Sequence, residues 1–491
     1  MNSLFFLLQS FSFVFLGSGF AYVLGIINHI IISRILGPSN LGIVVVGISW
    51  INIFSNIATF GLVGYLPRIL SYYKSKHDNK SIYVIIRSSF ILVFIFALLI
   101  SLLLMIFKDF FEKKILKYSS FYFFLLLILG NFLISFYKII SSFVRSFKQY
   151  IWKIIFEDIS FRIFRIFLFF FFLFLFKDKI FAGLGSYLSA YLIVSLVLLL
   201  LLHFKIVSFI ECFKNFSLSK KITLELISNS WPLFLSAFSL LFISNVTSLM
   251  LNIFKDSYSV GLFDVAFKLG FLLSFFALSF QYTGLPILTE YVAKNDSISV
   301  KNLYIFFTKF LVLLSLLFCG IILIYSKNII FTLYGSDYVY SYMLLNILVL
   351  AASFRNFSGP GGNILVAFNK TKLNLLMELI TALFSFSFNW LLIPKFGAMG
   401  SAFAILFAYF IRSLVMCFLV YYTCKIHPFT KEYFLVFLYF LISLGISYWL
   451  SKFNYYLGFT FILIFCFCLY LYFPFNREEK EVFLSFLRIK K

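Results

Sequence analysis

Six ionisable residues lie inside long apolar runs of this sequence, where charged side chains are rare. They are Lys138, Asp264, Lys268, Arg355, Glu378 and Arg412. A charged side chain at the centre of a membrane helix costs about 2.5–3.5 kcal/mol on insertion scales, and such residues face a partner or a water-filled cavity. These positions are therefore the first candidates for binding or ion coupling. His29 and Asn28, near the middle of the first apolar run, could face the same cavity.

Arg355 stands within the run 353–363, which reads SFRNFSGPGGN. The proline and the three glycines predict an interruption of the helix, which frees backbone carbonyl groups. Such breaks occur inside a membrane where they line a cavity or are buried in protein. Arg355 is therefore either a binding residue at a cavity or a donor to the freed carbonyls, and the sequence leaves both open.

Asp264 and Lys268 are four residues apart, so a helix places them one turn apart on one face. One interpretation is a self-neutralised pair that lets the helix enter the bilayer. The other separates their roles, with Lys268 facing an anion and Asp264 available for ion or proton coupling. Glu378 is either a second coupling carboxylate or the partner of a nearby cation.

Three basic residues are predicted near the ends of their spans. Lys138 and Arg412 lie toward the cytoplasmic ends, and Arg34 lies toward the outer end of the first span. Long basic side chains at such positions reach the lipid headgroups. Structural anchoring is the default interpretation for all three.

The elements that carry these residues are membrane helices. Of the 491 residues, 63% are hydrophobic and only 12% are charged, and the mean hydropathy is +1.04. Soluble domains carry about 25% charged residues. The net charge of +23 is spread in short clusters between the apolar runs, which is the pattern of membrane-flanking loops and not of a nucleic-acid-binding face. The composition predicts an all-α polytopic protein of the lipid bilayer.

A bilayer core requires about 20 apolar residues per helix, which divides the chain into about fourteen spans. The segments predicted inside hold more than twice as many Lys and Arg residues as those outside, so both termini are predicted to be cytoplasmic. The first ten residues carry no Lys or Arg, and we interpret the first run as a permanent span. The predicted spans are 11–36, 41–66, 84–107, 119–141, 159–176, 180–204, 229–253, 259–285, 303–326, 341–366, 373–393, 397–423, 433–450 and 455–474.

Two classes of protein are disfavoured. The six cysteines and four histidines show no metal-ligand spacing, so we predict no metal site. The outer loops are short and contain no D-x-D signature, whereas a membrane glycosyltransferase or polymerase generally needs a sizeable outer domain for its sugar acceptor. The sequence therefore favours a transporter over an enzyme.

The two halves of the chain resemble each other weakly but in register. Gly42 and Leu66-Pro67 recur as Gly261 and Leu285-Pro286, at an offset of 219. The runs AGLGS at 182–186 and GAMGS at 397–401 form a second pair. Parallel repeats of six helices are related by an axis along the membrane normal. The repeat predicts two pseudo-symmetric six-helix lobes, 1–214 and 215–424, followed by two additional helices and a basic tail in 425–491.

The same segments resemble a known family. The turn RILGPSNLG at 34–42, the Leu66-Pro67 element, KTKLN at 370–374 and FGAMGSA at 396–402 are similar to those of polysaccharide-biosynthesis flippases of the Wzx type. The chain is identified as a member of the multidrug/oligosaccharidyl-lipid/polysaccharide exporter superfamily. The fourteen spans also resemble the lipid II flippase of peptidoglycan synthesis. That relative usually carries several charges in its first two helices, where this chain has only His29 and Arg34.

The resemblance implies a MATE-like fold whose central cavity opens alternately to each face. It implies a plasma-membrane flippase that moves an isoprenoid-diphosphate-linked oligosaccharide, such as an O-antigen unit, out of the cytoplasm. No cofactor is implied beyond H⁺ or Na⁺ coupling. A drug or small-molecule exporter of the same superfamily is the alternative, and a membrane glycosyltransferase or polymerase is the third.

The implied substrate assigns roles to the candidate residues. Cationic side chains would stabilise a diphosphate in a low-dielectric cavity, and a guanidinium fork can hold two phosphate oxygens at once. The predicted coupling residues are Asp264 and Glu378. The predicted substrate-binding residues are Arg355, Lys268, Arg34, His29 and Asn28.

Overall fold

The structure, a computed structural model, is helical throughout the part of the chain that it describes. The described residues are 2–118, 120–147, 149–205, 219–272, 284–285, 287–429 and 431–453, together with 458, 460–461 and 464. Three π-helical segments, Phe111–Leu116, Lys153–Ser160 and Phe242–Val246, interrupt the described α-helices. The longer helices are α1 (Asn2–Thr59), α2 (Leu62–Ser75), α3 (Asn79–Ile106), α4 (Phe121–Ser146), α5 (Phe161–Phe176), α6 (Lys179–Lys205), α7 (Lys220–Leu241), α8 (Thr247–Phe254), α9 (Ser257–Gly270), α10 (Ser297–Tyr334), α11 (Ser341–Phe357), α12 (Gly361–Ala367), α13 (Thr371–Phe396), α14 (Ala398–Cys424) and α15 (Lys431–Phe453).

Eight stretches of the described residues are long and apolar enough to cross a membrane. The first, Gly19–Ser75, contains most of the first predicted span and the whole of the second. Other predicted spans fall on shorter helices, such as the seventh on α7 and α8 and the tenth on α11 and α12. The fourteenth span and the second half of the eighth lie largely outside the described residues. The all-α polytopic prediction is confirmed.

Two boundaries differ from the predicted ones. The fifth span begins at Lys153, because the π-helical segment continues directly into α5. Arg162 and Arg165 lie inside this span, as they do inside the predicted span 159–176, although they were not among the predicted site residues. The predicted outer loop after the ninth span is also shorter, since α10 remains helical to Tyr334.

The described chain forms two compact units. The first comprises Met1–Val265 and Asn389–Ser401, and the second comprises Ala266–Phe388 and Ala402–Lys491. The lobe boundaries predicted from the repeat, 1–214 and 215–424, stay a prediction.

In the first unit, α1 is interrupted at the predicted turn. Gly37 has φ 75° and ψ 165°, outside the helical region, and Pro38 follows it. Beyond this turn α1 meets the start of α9: a Cβ on Gly42 would overlap the carbonyl oxygen of Ser257, and a Cβ on Gly261 would overlap that of Pro38. Pro38 and Ser257 are related by the same 219-residue offset as the two glycines. The repeat found in the sequence is thus a reciprocal contact in the structure.

Close packing holds the helices of the first unit together. A membrane offers little hydrophobic driving force between helices, so van der Waals contact and small interfacial residues take its place. A Cβ on Gly130 of α4 would lie 2.7 Å from Ile51 of α1, so only glycine permits this approach. Asn131 Nδ2 donates to Ala97 O at 3.0 Å, a buried polar link between α4 and α3. Fully buried side chains from five helices fill the core: Leu66, Ile85, Phe143, Leu198 and Leu226.

Segments predicted on the same side of the membrane meet in the first unit. Asn252 Nδ2 donates to the carbonyl oxygens of Ile115 and Leu116, at 3.0 and 3.1 Å. Lys117 Nζ donates to Lys255 O at 2.9 Å, and Lys255 Nζ donates to Pro394 O at 3.1 Å. Apart from Asn252, at the end of the predicted span 229–253, these groups belong to segments predicted outside. The contacts agree with the predicted alternation of spans.

In the second unit, the predicted helix interruption is confirmed. Helix α11 ends at Phe357, α12 begins at Gly361, and Gly359 between them has φ +55°. The carbonyl oxygen of Ser358 accepts a hydrogen bond from the buried Tyr304 hydroxyl of α10 at 3.0 Å. Tyr304 belongs to a core that also contains Leu365, Met377 and Met416.

Candidate functional site

A histidine–aspartate pair joins α1 to α9 in the first unit. His29 Nε2 lies 2.8 Å from Asp264 Oδ2, and the two side chains are only 15% and 11% exposed. The pair is an ion pair when the imidazole carries its second proton. Asp264 thus has a partner on another helix, whereas the sequence offered Lys268, which is exposed. The pair links the two helices.

Arg162 of α5 packs against α1 beside this pair. Its Nε would lie 2.8 Å from a Cβ on Gly25, so the absence of a side chain at Gly25 makes room for the guanidinium. The buried Asn28 donates from Nδ2 to the Arg162 carbonyl oxygen at 3.0 Å, which fixes the start of α5 against α1. The Arg162 guanidinium also donates to the carbonyl oxygen of Asp158, one turn earlier. Asn28 therefore positions Arg162.

Arg165 lies one turn farther along α5, over an aromatic surface. Its guanidinium carbon is 5.1 Å from the centre of the Tyr187 ring on α6, which is a cation–π geometry. Tyr191 packs against Tyr187 with ring centroids 4.9 Å apart. The Asp264 carboxylate acts electrostatically on Arg165. Arg165 Nε is buried without a hydrogen-bond partner in the structure, so this guanidinium keeps donor capacity for another group.

The first unit thus brings together two guanidinium groups, an imidazole, a carboxylate and two tyrosines. A guanidinium fork matches the oxygens of a phosphate, and in a low-dielectric setting such charge-assisted hydrogen bonds are the strong ones. The Asp264 carboxylate is paired with His29. Chemically, this site suits an anion, and proton binding at His29 can modulate it.

In the second unit, Arg355 lies in the last turn of α11, beside the helix interruption. Its guanidinium carbon is 5.6 Å from the centre of the Tyr409 ring of α14. Two backbone oxygens near the break have other donors, since the Tyr304 hydroxyl binds Ser358 O and the Ser413 hydroxyl binds Phe354 O. These hydrogen bonds weaken the alternative in which Arg355 is needed to satisfy the freed carbonyls.

Glu378 of α13 forms an ion pair with Arg412 of α14. The Arg412 Nη2 to Glu378 Oε1 distance is 2.8 Å, and the side chains are 14% and 12% exposed. This geometry favours the interpretation of Glu378 as the partner of a cation. The expectation that Arg412 and Lys138 extend to the headgroups is wrong, because both side chains bind neighbouring helices. Lys138 Nζ donates to Ser55 Oγ of α1 at 2.7 Å.

The structure brings some of the predicted site residues together and leaves others apart. His29, Asn28 and Asp264 lie together in the first unit, and Arg34 of α1 is exposed. Arg162 and Arg165 were missed, although both fall within the predicted span 159–176. Their spacing of three residues, just before a run of aromatic residues, was the signal that could have identified them.

The chain is similar to several known proteins. The polysaccharide biosynthesis protein family matches residues 7–292, which include the whole site of the first unit. An uncharacterized membrane protein of Methanocaldococcus jannaschii is 26% identical over 231 residues, 45% of this chain and 45% of that protein. The match thus spans less than half the length of that relative.

Solved structures share the fold. The lipid II flippase MurJ in an inward closed conformation aligns with a TM-score of 0.71 at 17% identity, covering 98% of this chain and 99% of MurJ. An inward-facing multidrug resistance MATE family transporter aligns with a TM-score of 0.66 at 14% identity, covering 82% and 94%. A MOP superfamily transporter from Pyrococcus furiosus aligns with a TM-score of 0.59 at 14% identity, covering 85% and 95%.

These likenesses establish a MATE-like fold for a polytopic membrane protein. The family match covers more than half of the chain. This protein belongs to the polysaccharide biosynthesis protein family.

Proposed function

We propose that the protein is a flippase that moves an isoprenoid-diphosphate-linked oligosaccharide from the cytoplasmic to the outer leaflet by alternating access. The observation that carries this proposal is the paired arginine site of α5. Arg162 and Arg165 stand within a span, and Arg165 retains an unpaired buried donor. The family and the fold support a transporter that acts in polysaccharide synthesis.

The proposed ligand contact is with the diphosphate. Its two phosphates carry negative charge that is costly to move through a low-dielectric medium. Arg162 and Arg165 would share that charge, and the aromatic rings beneath Arg165 hold its guanidinium plane in place. Arg355, Lys268 and Arg34 remain proposed as further cationic contacts.

Coupling is proposed at the His29–Asp264 pair. Release of a proton from His29 removes the charge attraction between His29 and Asp264, which join α1 to α9. The relative populations of the conformations that differ in the contact between these two helices then change. A proton is therefore the favoured coupling ion, and Na⁺ is the alternative. Asn28 has a positioning role through its hydrogen bond to the Arg162 carbonyl.

A transporter role is proposed in preference to an enzymatic one. The described groups that act on Arg165 are another guanidinium, two tyrosines and the Asp264 carboxylate, which is paired with His29. Glycoside hydrolysis requires two carboxyl groups that flank the reacting bond, whereas the Asp264 carboxylate beside the arginines is already paired with His29.

The test uses purified protein in liposomes that contain an isoprenyl diphosphate carrying a fluorescent oligosaccharide. Movement of the label between leaflets is measured by its accessibility to a membrane-impermeant quencher. We expect Arg165→Ala to slow this movement about tenfold or more, because charge-assisted hydrogen bonds contribute about 1.5–3 kcal/mol. Arg165→Lys should recover only part of the rate, since an ammonium lacks the fork.

Arg68→Ala is the matched control, because it removes an exposed arginine of α2 with the same charge change. Equal rates in Arg165→Ala, Arg68→Ala and wild type would contradict the proposed site. Sugar transfer from nucleotide donors by the purified protein alone would contradict the transporter proposal itself.

A further inference from the structure

A second buried acidic residue lies apart from the His29–Asp264 pair. Glu157 is 7% exposed and belongs to the π-helical segment Lys153–Ser160, which precedes α5. Its Oε2 accepts from the Ser141 hydroxyl at 2.8 Å and from the Tyr137 hydroxyl at 3.3 Å, both on α4. Its Oε1 is buried and has no hydrogen-bond partner in the structure. Burying an ionised oxygen without a hydrogen-bond partner is costly in free energy, so we expect Glu157 Oε1 to bind a further proton or cation.

The backbone around Glu157 is also unusual. A π-helical turn in an α-helix is rare and is found mostly at functional sites, because it shifts the side chains that follow it. Here the turn directs Glu157 toward α4, and α5 begins immediately afterwards with the residues that lead to Arg162 and Arg165.

The charged groups around Glu157 are few. Arg145 of α4, and Lys153 and Asp158 of its own segment, act electrostatically on the Glu157 carboxyl. Lys153 Nζ lies 3.9 Å from Asp158 Oδ2, and this pair is more exposed than Glu157. Helix α1, which also packs along the segment, carries no charged residue before His29. From α6, Tyr187 and Tyr191 lie toward this region, and Lys205 Nζ lies 5.5 Å from the centre of the Trp152 ring, just before the segment.

Three tyrosines, one on α4 and two on α6, connect Glu157 to the arginine site. The Tyr137 hydroxyl contacts Glu157, and the Tyr137 ring lies 4.5 Å from that of Tyr191, centroid to centroid. Tyr191 and Tyr187 share a side-chain hydrogen bond, and Tyr187 lies beneath the Arg165 guanidinium. Three aromatic side chains thus form a continuous connection between the carboxyl group and the cation.

We propose that Glu157 is a proton-binding site whose occupancy is linked to the anion held by Arg165. An anion bound at Arg165 adds negative charge to the same low-dielectric interior and disfavours the ionised form of Glu157, so anion binding is accompanied by proton uptake at Glu157. When the anion leaves, the proton is released. The part of this proposal that concerns the transport cycle rests on the proposed function.

The geometry favours a proton over a metal cation. Hard cations take six or more oxygen ligands, whereas the described oxygens at this site are the Glu157 carboxyl and the two hydroxyl groups that donate to it. A proton needs one oxygen, and Oε1 supplies it. The two hydroxyl groups hold the carboxyl in place in either protonation state.

Infrared difference spectroscopy of the purified protein tests the binding site without any transport. Between acidic and alkaline pH, we expect a carbonyl band of a protonated carboxylic acid that disappears in Glu157→Gln. Asp158→Asn is the control, because it alters the neighbouring, more exposed carboxylate and should leave the band intact. Tyr137→Phe removes one hydrogen bond to the carboxyl and should shift the frequency of the band, which gives a second readout if Glu157→Gln folds poorly.

Addition of inorganic pyrophosphate in weakly buffered solution tests the linkage. Wild-type protein should take up more protons on binding than Glu157→Gln does, because His29 and the pyrophosphate itself contribute equally in both, and Arg165→Ala should weaken binding and reduce the uptake. A carbonyl band that persists unchanged in Glu157→Gln and in Tyr137→Phe would overturn the proton site. Equal proton exchange in wild type and in Glu157→Gln would overturn the linkage. If the band and the uptake behave as expected while liposomes move no lipid-linked oligosaccharide, the proposed function fails and the proton site stands.

Discussion

Gly42 and Gly261 lie back to back, so that a Cβ on Gly42 would stand 3.1 Å from the backbone nitrogen of Gly261. Each glycine also faces a carbonyl oxygen of the other segment, Ser257 for Gly42 and Pro38 for Gly261. Because the opposing atoms belong to the backbone, no rotation of a side chain can relieve an added methyl group. The two segments can approach this closely only through glycine at both positions.

The first prediction concerns this contact. Gly42→Ala and Gly261→Ala should each separate the two segments, which lowers the melting temperature in detergent and slows transport. Gly185→Ala is the control, because a Cβ there would meet its nearest neighbour, Phe172, at an ordinary 3.5 Å. Melting is followed by tryptophan fluorescence. Unchanged melting in both variants at the contact would mean that the segments do not approach as described.

Arg355 carries the second prediction. Arg355→Ala should abolish export while membrane abundance stays near normal, because the Ser358 and Phe354 oxygens near the break have other donors. Arg355→Lys should recover part of the export, since it keeps the charge and loses the fork. Abundance is measured by immunoblot and export by surface glycan. A drop in abundance that matches the drop in export would assign Arg355 to the helix interruption instead.

The third prediction separates the two interpretations of Glu378. Arg412→Leu alone leaves Glu378 buried without its cation, and breaking such a pair costs about 3–5 kcal/mol. Combining it with Glu378→Leu should restore most of the stability, because an apolar pair of similar size is often neutral. We expect the double variant to fold and transport. A stable double variant that cannot transport would establish a coupling role for Glu378.

Topology provides the fourth prediction. Single cysteines at His77 and Lys294 should react with a membrane-impermeant maleimide only from the cytoplasm. Cysteines at Lys113, Asp256 and Ser336 should react only from outside, and all five positions are exposed. Comparing the labelling of each cysteine in intact and in permeabilised cells shows the side of the membrane on which it lies. Two positions that react from the opposite side would overturn the assignment.

The large-scale organisation of this protein was predictable because it depends on composition. Apolar runs long enough for a bilayer leave little choice but helices, since lipid offers no partner to an unpaired backbone group. The break after Phe357 was predictable for a local reason, because Gly359, Pro360 and the following glycines cannot continue an α-helix. The repeat was visible at Gly42 and Gly261 because a mutual contact constrains both positions.

The candidate site was only partly predictable, because its contacts join residues that are far apart in the chain. His29 and Asp264 are separated by 235 positions, and no local pattern relates them. Lys268 was the nearer cation in the sequence, yet the structure pairs Asp264 with His29. Arg162 and Arg165 stand near the start of the predicted span 159–176, where basic residues ordinarily flank a membrane helix, so their position alone did not mark them as site residues.

The composition of α5 has a consequence for how the protein is made. Arg162 and Arg165 acquire their neighbours only when α1 and α6 are both in place, so during synthesis the early α5 must enter the bilayer with its charges uncompensated. The run 167–176, FLFFFFLFLF, supplies the opposing free energy, since each Phe or Leu contributes favourably on insertion scales. Polar substitutions in this run should therefore reduce the yield of inserted protein, even where the side chains face only lipid.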